Sequence, residues 1–423
     1  MNIRNVTRSK SLKDFSSLFF SNIFQKLLGL VREPVVAFFF GSSLLYANYL
    51  LLRTAADLFS QFTVGNALKA NLLPKFTKIY DTYKKVSLKK VFSFSKRTMI
   101  LLFIISQIFQ SIIILYLDSE YNYTLFIISI LLSFSICFNF LNNLFLTIMQ
   151  SKGQFFKFSI ATTLNSFIVA VFIYPFTLFC GIFGLVISRL LGIIILTFSY
   201  ILPMNRERDG YELKLTRKDL NISTLILGNF ANIIIICSRF LSGSDGSNNI
   251  TYFTYSIFIL NAVLTSVIGN VSTLLLRKVS IIKNTKFMYL SLGISVFVGS
   301  LLILFLHYFS YDLIEFVYKR GKFGVSDVEN TATYLYELSY SFVLIFIATT
   351  LFQPFFTLTG IDSRKSSNNM SYIFLLIIFG GIFVLSFLSI DVREKSLYLI
   401  FMASSVSVLL SFYSYIIYLK NES

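Results

Sequence analysis

Nineteen consecutive residues from Met99 to Leu117, MILLFIISQIFQSIIILYL, carry no charge, and apolar runs of similar length recur along the chain. A bilayer core takes about 20 helical residues to cross, and backbone polar groups inside it must be satisfied within the segment. Continuous apolar runs meet that demand as helices; a membrane barrel would need strands of alternating polarity. Of the 423 residues 55% are hydrophobic and 13% charged, with mean hydropathy +0.73. A soluble domain carries about 25% charged residues. The chain therefore reads as an all-α, polytopic transmembrane helical bundle.

Twelve spans are expected, at 15–41, 44–73, 95–117, 124–149, 158–179, 182–202, 220–241, 251–276, 287–308, 332–358, 371–390 and 397–418. If the N-terminus lies inside, 26 of the 37 Lys and Arg fall in inside segments, five in outside segments and six within spans. That asymmetry obeys the positive-inside rule and predicts that both termini are cytoplasmic. The net charge of +17 then reflects topology and attraction to anionic membrane lipids, with no need for nucleic acid. The connection Pro203–Asp219 halves the chain. The expected organisation is a six-helix lobe at 1–202, a cytoplasmic linker at 203–219 and a second six-helix lobe at 220–423. No strong residue-level repeat relates the lobes, so their equivalence rests on span count. The first apolar run continues past the length of a signal-peptide core and lacks a small-residue cleavage site, so no cleavable signal is expected.

The costly residues are charges inside spans, on the order of 3 kcal/mol each on insertion scales. The first span, with FQKLLGLVREPVVAFFFG at Phe24–Gly41, holds Lys26, Arg32 and Glu33. Lys26 and Glu33 are seven apart and share a face, while Arg32 lies about 100° around from Glu33. Gly29 and Pro34 mark a place where this helix can bend. The second span carries Arg53, Asp57 and Gln61 at i, i+4 and i+8, a polar stripe in which Arg53 and Asp57 can pair. The seventh sets Asn229, Asn232 and Arg239 on one side. Arg239 and Lys69 lie near span ends, where long stems snorkel to the interface. Arg189 stands alone in mid-span. Ionisable groups at similar depth on adjacent helices point to a shared water-filled cavity, and a basic lining suits an anionic phosphate or pyrophosphate group. The candidate substrate-binding set is Lys26, Arg32, Glu33, Arg53, Asp57, Gln61, Asn232 and Arg239.

Catalysis finds little support. The single His307 falls at the outer end of the ninth span, and there is no Gly-rich phosphate loop, metal-ligand spacing or serine nucleophile motif. No cofactor is called for, and the residues do not specify a coupling ion. Cys137, Cys180 and Cys237 lie in or beside apolar runs and read as small hydrophobes. The 49 Phe and 24 Tyr beside no Trp suggest AT-rich coding, which takes functional weight from individual aromatics.

Two blocks carry a family resemblance. QKLLGLVREPVVAFFFGSSLLYANYLLLRTAADLFSQFTVGNALKANLLPKFTKIY resembles the start of the MurJ-type (MviN) lipid II flippases, with Gln25–Glu33, Gly41 and Pro74 in step. LIEFVYKRGKFGVSDVENTATYLYELSYSFVLIFIATTLFQPFFTLTGIDSRK, Leu313–Lys365, is similar to that family's outward loop and following helix, through Gly321–Phe323, Asp327 and Pro354. The resemblance implies an alternating-access transporter of two six-helix lobes in a bacterial plasma membrane. It would move an undecaprenyl-pyrophosphate-linked saccharide outward, with Lys26 and Arg32 lining the cavity and Glu33 matching the family acid. Departures accompany the likeness. Ala47 stands where the family has an acid, Ser60 and Gln61 where it has arginines, and Tyr255 and Ser256 where it has Asp-Arg. The family has fourteen spans against twelve expected here.

Flipping of lipid II therefore competes with flipping of capsule, O-antigen or exopolysaccharide units, and with ion-coupled export of small molecules by the same superfamily. An exporter of cations would call for membrane acids, whereas the spans hold mostly cations. A glycan polymerase or ligase would call for a large outside loop, and the longest here is short. A non-transporting scaffold stays open because family charges are lost. The expected partners are the lipid-linked saccharide and membrane lipids.

Overall fold

The structure is a computed structural model that describes residues 20–21, 23–25, 27–29, 31–63, 72, 76–83, 86–117, 120–206, 210–213, 222–263, 286–355 and 361–422. Helix α1 is the helical stretch within 20–40, and α2 is Leu44–Thr63. A short α3 at 76–82 precedes strand β1 (Val86–Ser87). Then come α4 (Lys89–Leu117), α5 (Asn122–Ser151), α6 (Phe155–Cys180) and α7 (Ile182–Leu196). Strand β2 (Tyr211–Glu212) follows, then α8 (Ile222–Gly228), α9 (Phe230–Ser242) and α10 (Asn249–Val263). The last four are α11 (Lys286–Tyr318), α12 (Val325–Phe355), α13 (Ile361–Phe387) and α14 (Val392–Glu422).

Eight helices among the described residues are long and apolar enough to cross a membrane: α4 to α7 and α11 to α14. Several outrun the expected spans because their ends take in loop residues; α4, for example, begins at Lys89 and includes Lys96 and Arg97. The expected first, second, seventh and eighth spans fall on α1, α2, α8–α9 and α10, all shorter or less apolar over their described lengths. The seventh is not one helix. It breaks between Gly228 and Asn229, and Asn229 (φ −116°, ψ 14°) leaves helical geometry so that α9 starts afresh. Asn and Gly compete poorly for helical conformation, which explains the site of the break.

The chain forms two compact units. Unit 1 is Met1–Phe39 with Ala55–Gly228; unit 2 is Phe40–Thr54 with Asn229–Ser423. Helix α2 is thus divided, its first eleven residues in unit 2 and its last nine in unit 1.

In unit 1, α4 packs on α5, α5 on α7, and α6 on α7. In unit 2, α11 packs on α12, α12 on α14, and α13 on α14. The order is the same among the four long helices of each unit: first on second, second on fourth, third on fourth. Burial follows it too. In the apolar windows of α4 to α7, 28, 56, 22 and 50% of residues are buried; in α11 to α14 the figures are 22, 61, 33 and 44%. The second of the four is the most enclosed in each unit, and the first and third are the most exposed. Their outward faces bear Ile104, Ile108, Leu115 and Phe179 in unit 1 and Phe297, Leu304, Leu376 and Phe383 in unit 2. Apolar faces of this extent suit a lipid surround.

Polar side chains stitch the helices. Between α4 and α5, Gln110 Nε2 donates to Ser106 and Ser133, and Gln107 Nε2 donates to Ser129 at 2.8 Å. Between α5 and α7, buried Asn142 donates to the Ile193 carbonyl at 3.1 Å and accepts from Thr197 Oγ1 at 2.8 Å. Thr197 Oγ1 also lies 2.8 Å from that carbonyl. Beyond α7 the helix widens into a π-type turn at Thr197–Ile201. Between α11 and α12, Ser295 and Thr350 share a hydrogen bond of 2.8 Å. Small hydroxyls of this kind hold helices where water is absent.

Two connections of unit 1 meet in a parallel two-stranded ladder, Val86 opposite Tyr211 and Ser87 opposite Glu212. Lys90 pairs with Glu212, and the Tyr83 and Tyr211 rings stack with centroids 4.1 Å apart.

Candidate functional site

Helix α1 is held to α6 by a seam of small polar groups. Ser21 Oγ contacts Thr163 Oγ1 at 2.7 Å and donates to the Ser159 carbonyl at 3.2 Å. Gln25 Nε2 donates to Ser21 Oγ at 2.8 Å and Thr162 Oγ1 at 3.1 Å. The seam fixes the rotation of α1, and with it the direction of the charges two turns on. There Arg32 Nε donates to Glu33 Oε1 at 3.0 Å, and Nη2 of the same guanidinium reaches the same oxygen. Consecutive helical residues point about 100° apart, yet the long Arg stem curls back to its neighbour. Glu33 is 3% exposed, while the Arg32 side chain keeps 24%. A buried carboxylate thus pairs with a cation whose side chain stays partly exposed. Helix α1 continues through Pro34 without a break.

The other candidates divide between the units. Asp57, half-buried on α2, lies in unit 1 with Arg32 and Glu33. Arg53, also half-buried on α2, lies in unit 2, as do half-buried Asn232 and Arg239 on α9. Gln61 is in the last turn of α2. Lys26 and Lys69 lie outside the described residues. Arg32 and Glu33 of the candidate set are in direct contact.

A second polar centre, in unit 2, is absent from the candidate set. Asp327, 7% exposed, accepts from Ser42 Oγ at 2.6 Å and Tyr252 OH at 3.1 Å on one oxygen. On the other it accepts the Gly324 N–H at 2.9 Å. The last bond is half of a capping box, the third helical residue reaching back to the residue before α12. Three donors answer the cost of burying this carboxylate. Around it the turn between α1 and α2 docks on the turn between α11 and α12. Gly41 has φ +52°, and a Cβ there would stand 2.4 Å from the Lys322 carbonyl oxygen, so only glycine fits.

The Gly41 carbonyl accepts from Tyr255 OH at 3.4 Å. Tyr255 in turn packs on Tyr46, Tyr318 and Phe323, all buried. The two sequence blocks that carry the family resemblance therefore meet here, Gly41 against Lys322 and Ser42 against Asp327. Where the family has Asp-Arg, Tyr255 fills the core and Ser256 Oγ donates to the Thr331 carbonyl at 2.8 Å. Discounting aromatics for coding bias hid this cluster; the glycine and aspartate shared by the two blocks were the available signal.

His307 is exposed, its ring edge-on to Tyr308 and 5.3 Å from the Tyr336 centroid. Cys137 and Cys237 are buried and Cys180 exposed, all as free thiols. No group of three or more His, Cys, Asp or Glu that could hold a metal occurs among the described residues.

No family model and no curated protein matches the sequence. Solved structures match the fold over nearly the whole chain. The lipid II flippase MurJ in an inward closed conformation superposes with TM-score 0.74 at 19% identity, covering 94% of this chain and 87% of MurJ. A crystal structure of a MATE point mutant gives 0.64 at 13% identity, covering 96% of each chain. An inward-facing multidrug resistance MATE transporter of the MOP superfamily gives 0.57 at 12%, covering 96% of this chain and 94% of the other. The repeated order of helix packing, the all-helical apolar architecture and these superpositions lead to one statement: the chain has the fold that MurJ and the MATE transporters of the MOP superfamily share.

Proposed function

We propose that this protein is a flippase of the MOP type that carries an undecaprenyl-pyrophosphate-linked saccharide across a bacterial plasma membrane. The observation that carries the reading is the Arg32–Glu33 pair: a carboxylate buried in α1 beside an arginine whose side chain stays partly exposed. Such a guanidinium can take a pyrophosphate oxygen bidentately while Glu33 holds its orientation. In this reading twelve spans form two six-helix lobes with cytoplasmic termini, and Lys26, Arg53, Asp57, Gln61, Asn232 and Arg239 complete a central cavity. Lipid II is the first substrate to test, since MurJ gives the highest TM-score among the likenesses above. Units of a capsule, O-antigen or other surface glycan share the pyrophosphate and are the alternative cargo.

The test is transport by the purified protein in vesicles, read as exposure of a labelled lipid-linked saccharide to an impermeant quencher. Flipping above the protein-free rate that is lost in Arg32→Ala supports the proposal; flipping at the protein-free rate overturns it. Rescue of a flippase-depleted strain separates lipid II from other glycans. Export of small organic cations is favoured by the nearly complete two-way overlap with MATE. Uptake of a labelled cation by the same vesicles, with no saccharide flipping, would establish it instead.

A further inference from the structure

Helices α11 and α12 pack on each other on either side of the turn at 319–324. On α11, His307, Ser310 and Tyr311 line one side of an open crevice at i, i+3 and i+4; on α12, Glu329, Ala332, Thr333 and Tyr336 line the other at i, i+3, i+4 and i+7. Between them lies an open cavity of about 370 Å³. Ser310, Ala332 and Thr333 are the small members of its lining, and His307, Tyr311, Glu329 and Tyr336 the larger ones. The volume falls within the roughly 300–1,000 Å³ of small-ligand sites.

The chemistry of the rim is specific. Tyr336 is fixed by a hydrogen bond to Tyr340 OH and by the His307 ring at 5.3 Å. Among the described residues, the Glu329 carboxylate, the His307 imidazole and the Ser310 and Tyr311 hydroxyls make no hydrogen bond within the protein. Aromatic faces beside an acceptor carboxylate and mixed donor–acceptor groups match a sugar ring, whose C–H face is apolar and whose hydroxyls both donate and accept. A phosphate fits poorly, because no Lys or Arg lines the cavity and Glu329 would repel it.

We infer that this cavity is a saccharide-binding site at the end of the α11–α12 hairpin, distinct from the charged α1 site. In the orientation proposed above it faces outside, where a flipped saccharide emerges. Its role in transport rests on that proposal, but its affinity for sugar does not.

The chain contains no tryptophan, so Phe309→Trp, beside Ser310 but outside the lining, supplies a single fluorophore. The protein carrying it, in phosphatidylglycerol nanodiscs, is titrated with the β1,4-linked disaccharide of N-acetylglucosamine and separately with phosphoethanolamine. A saturable change with the disaccharide alone is expected, weakened about tenfold by Glu329→Gln, the scale of one charge-assisted hydrogen bond, and abolished by the cavity-filling Ala332→Leu. No saturable response to the disaccharide overturns the inference, as does an equal response to phosphoethanolamine or a response unchanged in both variants. Arg32→Ala should leave the titration intact. A protein that flips lipid without this signal therefore loses only the cavity, and one that titrates without flipping loses only the flippase reading.

Discussion

Unit 1 and unit 2 build the same order of helix packing around different polar chemistry. In unit 1 the polar centre is an ion pair on one helix, Arg32 with Glu33, behind a seam of Ser, Thr and Gln that seats α1 on α6. In unit 2 it is one carboxylate, Asp327, shared among a serine, a tyrosine and a backbone N–H from three separate stretches of chain. A pair with one partner partly exposed remains able to exchange its counter-charge for a ligand. A carboxylate enclosed by three donors is committed to structure. The contrast teaches that buried charge in a membrane protein has two readings, and that the number and placement of donors decides between them.

That contrast can be broken most forcefully at its structural side. Asp327→Ala leaves the Ser42 hydroxyl, the Tyr252 hydroxyl and the Gly324 N–H without their acceptor, and should cost about 3 kcal/mol in thermal or denaturant unfolding. Asp327→Asn retains an acceptor for Ser42 and Tyr252 and should recover most of the loss. If Asn is as damaging as Ala, charge and not bonding is what matters there. On the functional side, Arg32→Ala should slow flipping by about a hundredfold, the worth of a charge-assisted contact of nearly 3 kcal/mol, with membrane insertion measured by protease protection unchanged. Equal loss of stability in Arg32→Ala and Asp327→Ala would erase the distinction between the units.

Gly41→Ala tests the clasp without touching a charge. The positive φ and the Lys322 oxygen oppose a Cβ, so a loss of about 2 kcal/mol is expected on unfolding. Smallest is Ser295→Ala, which removes one hydroxyl bond between α11 and α12 and should cost about 0.6 kcal/mol, the average for such bonds in membranes. A cost several times larger would mean that the hydroxyl seams carry the units as much as the carboxylate does.

Much of the architecture is legible in the sequence because hydropathy is a local property. The eight long helices each overlap an expected span, since an uncharged run such as Met99–Leu117 has few ways to satisfy its backbone except as helix. The charged stretch of α1 was legible for the same reason: Arg32 and Glu33 are conspicuous against their neighbours. Their direct contact was not, because helical geometry alone sends them apart and only the rotamer of Arg32 brings them back. Nor was the break at Gly228–Asn229, where polar and small residues within an apolar run left the helix free to stop. The Asp327 centre was hidden for another reason. Ser42 and Asp327 are 285 residues apart, and nothing local in either marks the other as its partner.

By itself, the sequence determined that this is a helical membrane protein, where its longest helices run, and which charges stand out against an apolar ground. Each follows from the cost of exposing backbone or charge to lipid, which every segment meets on its own. Tertiary structure decided the rest: the matching order of packing in the two units, the division of α2 between them, and the meeting of the turns at Gly41 and Lys322. It also opened the cavity between α11 and α12, which side chains of both helices line. These depend on which surfaces of distant segments fit together, and shape complementarity is a property of pairs that no single stretch of chain contains.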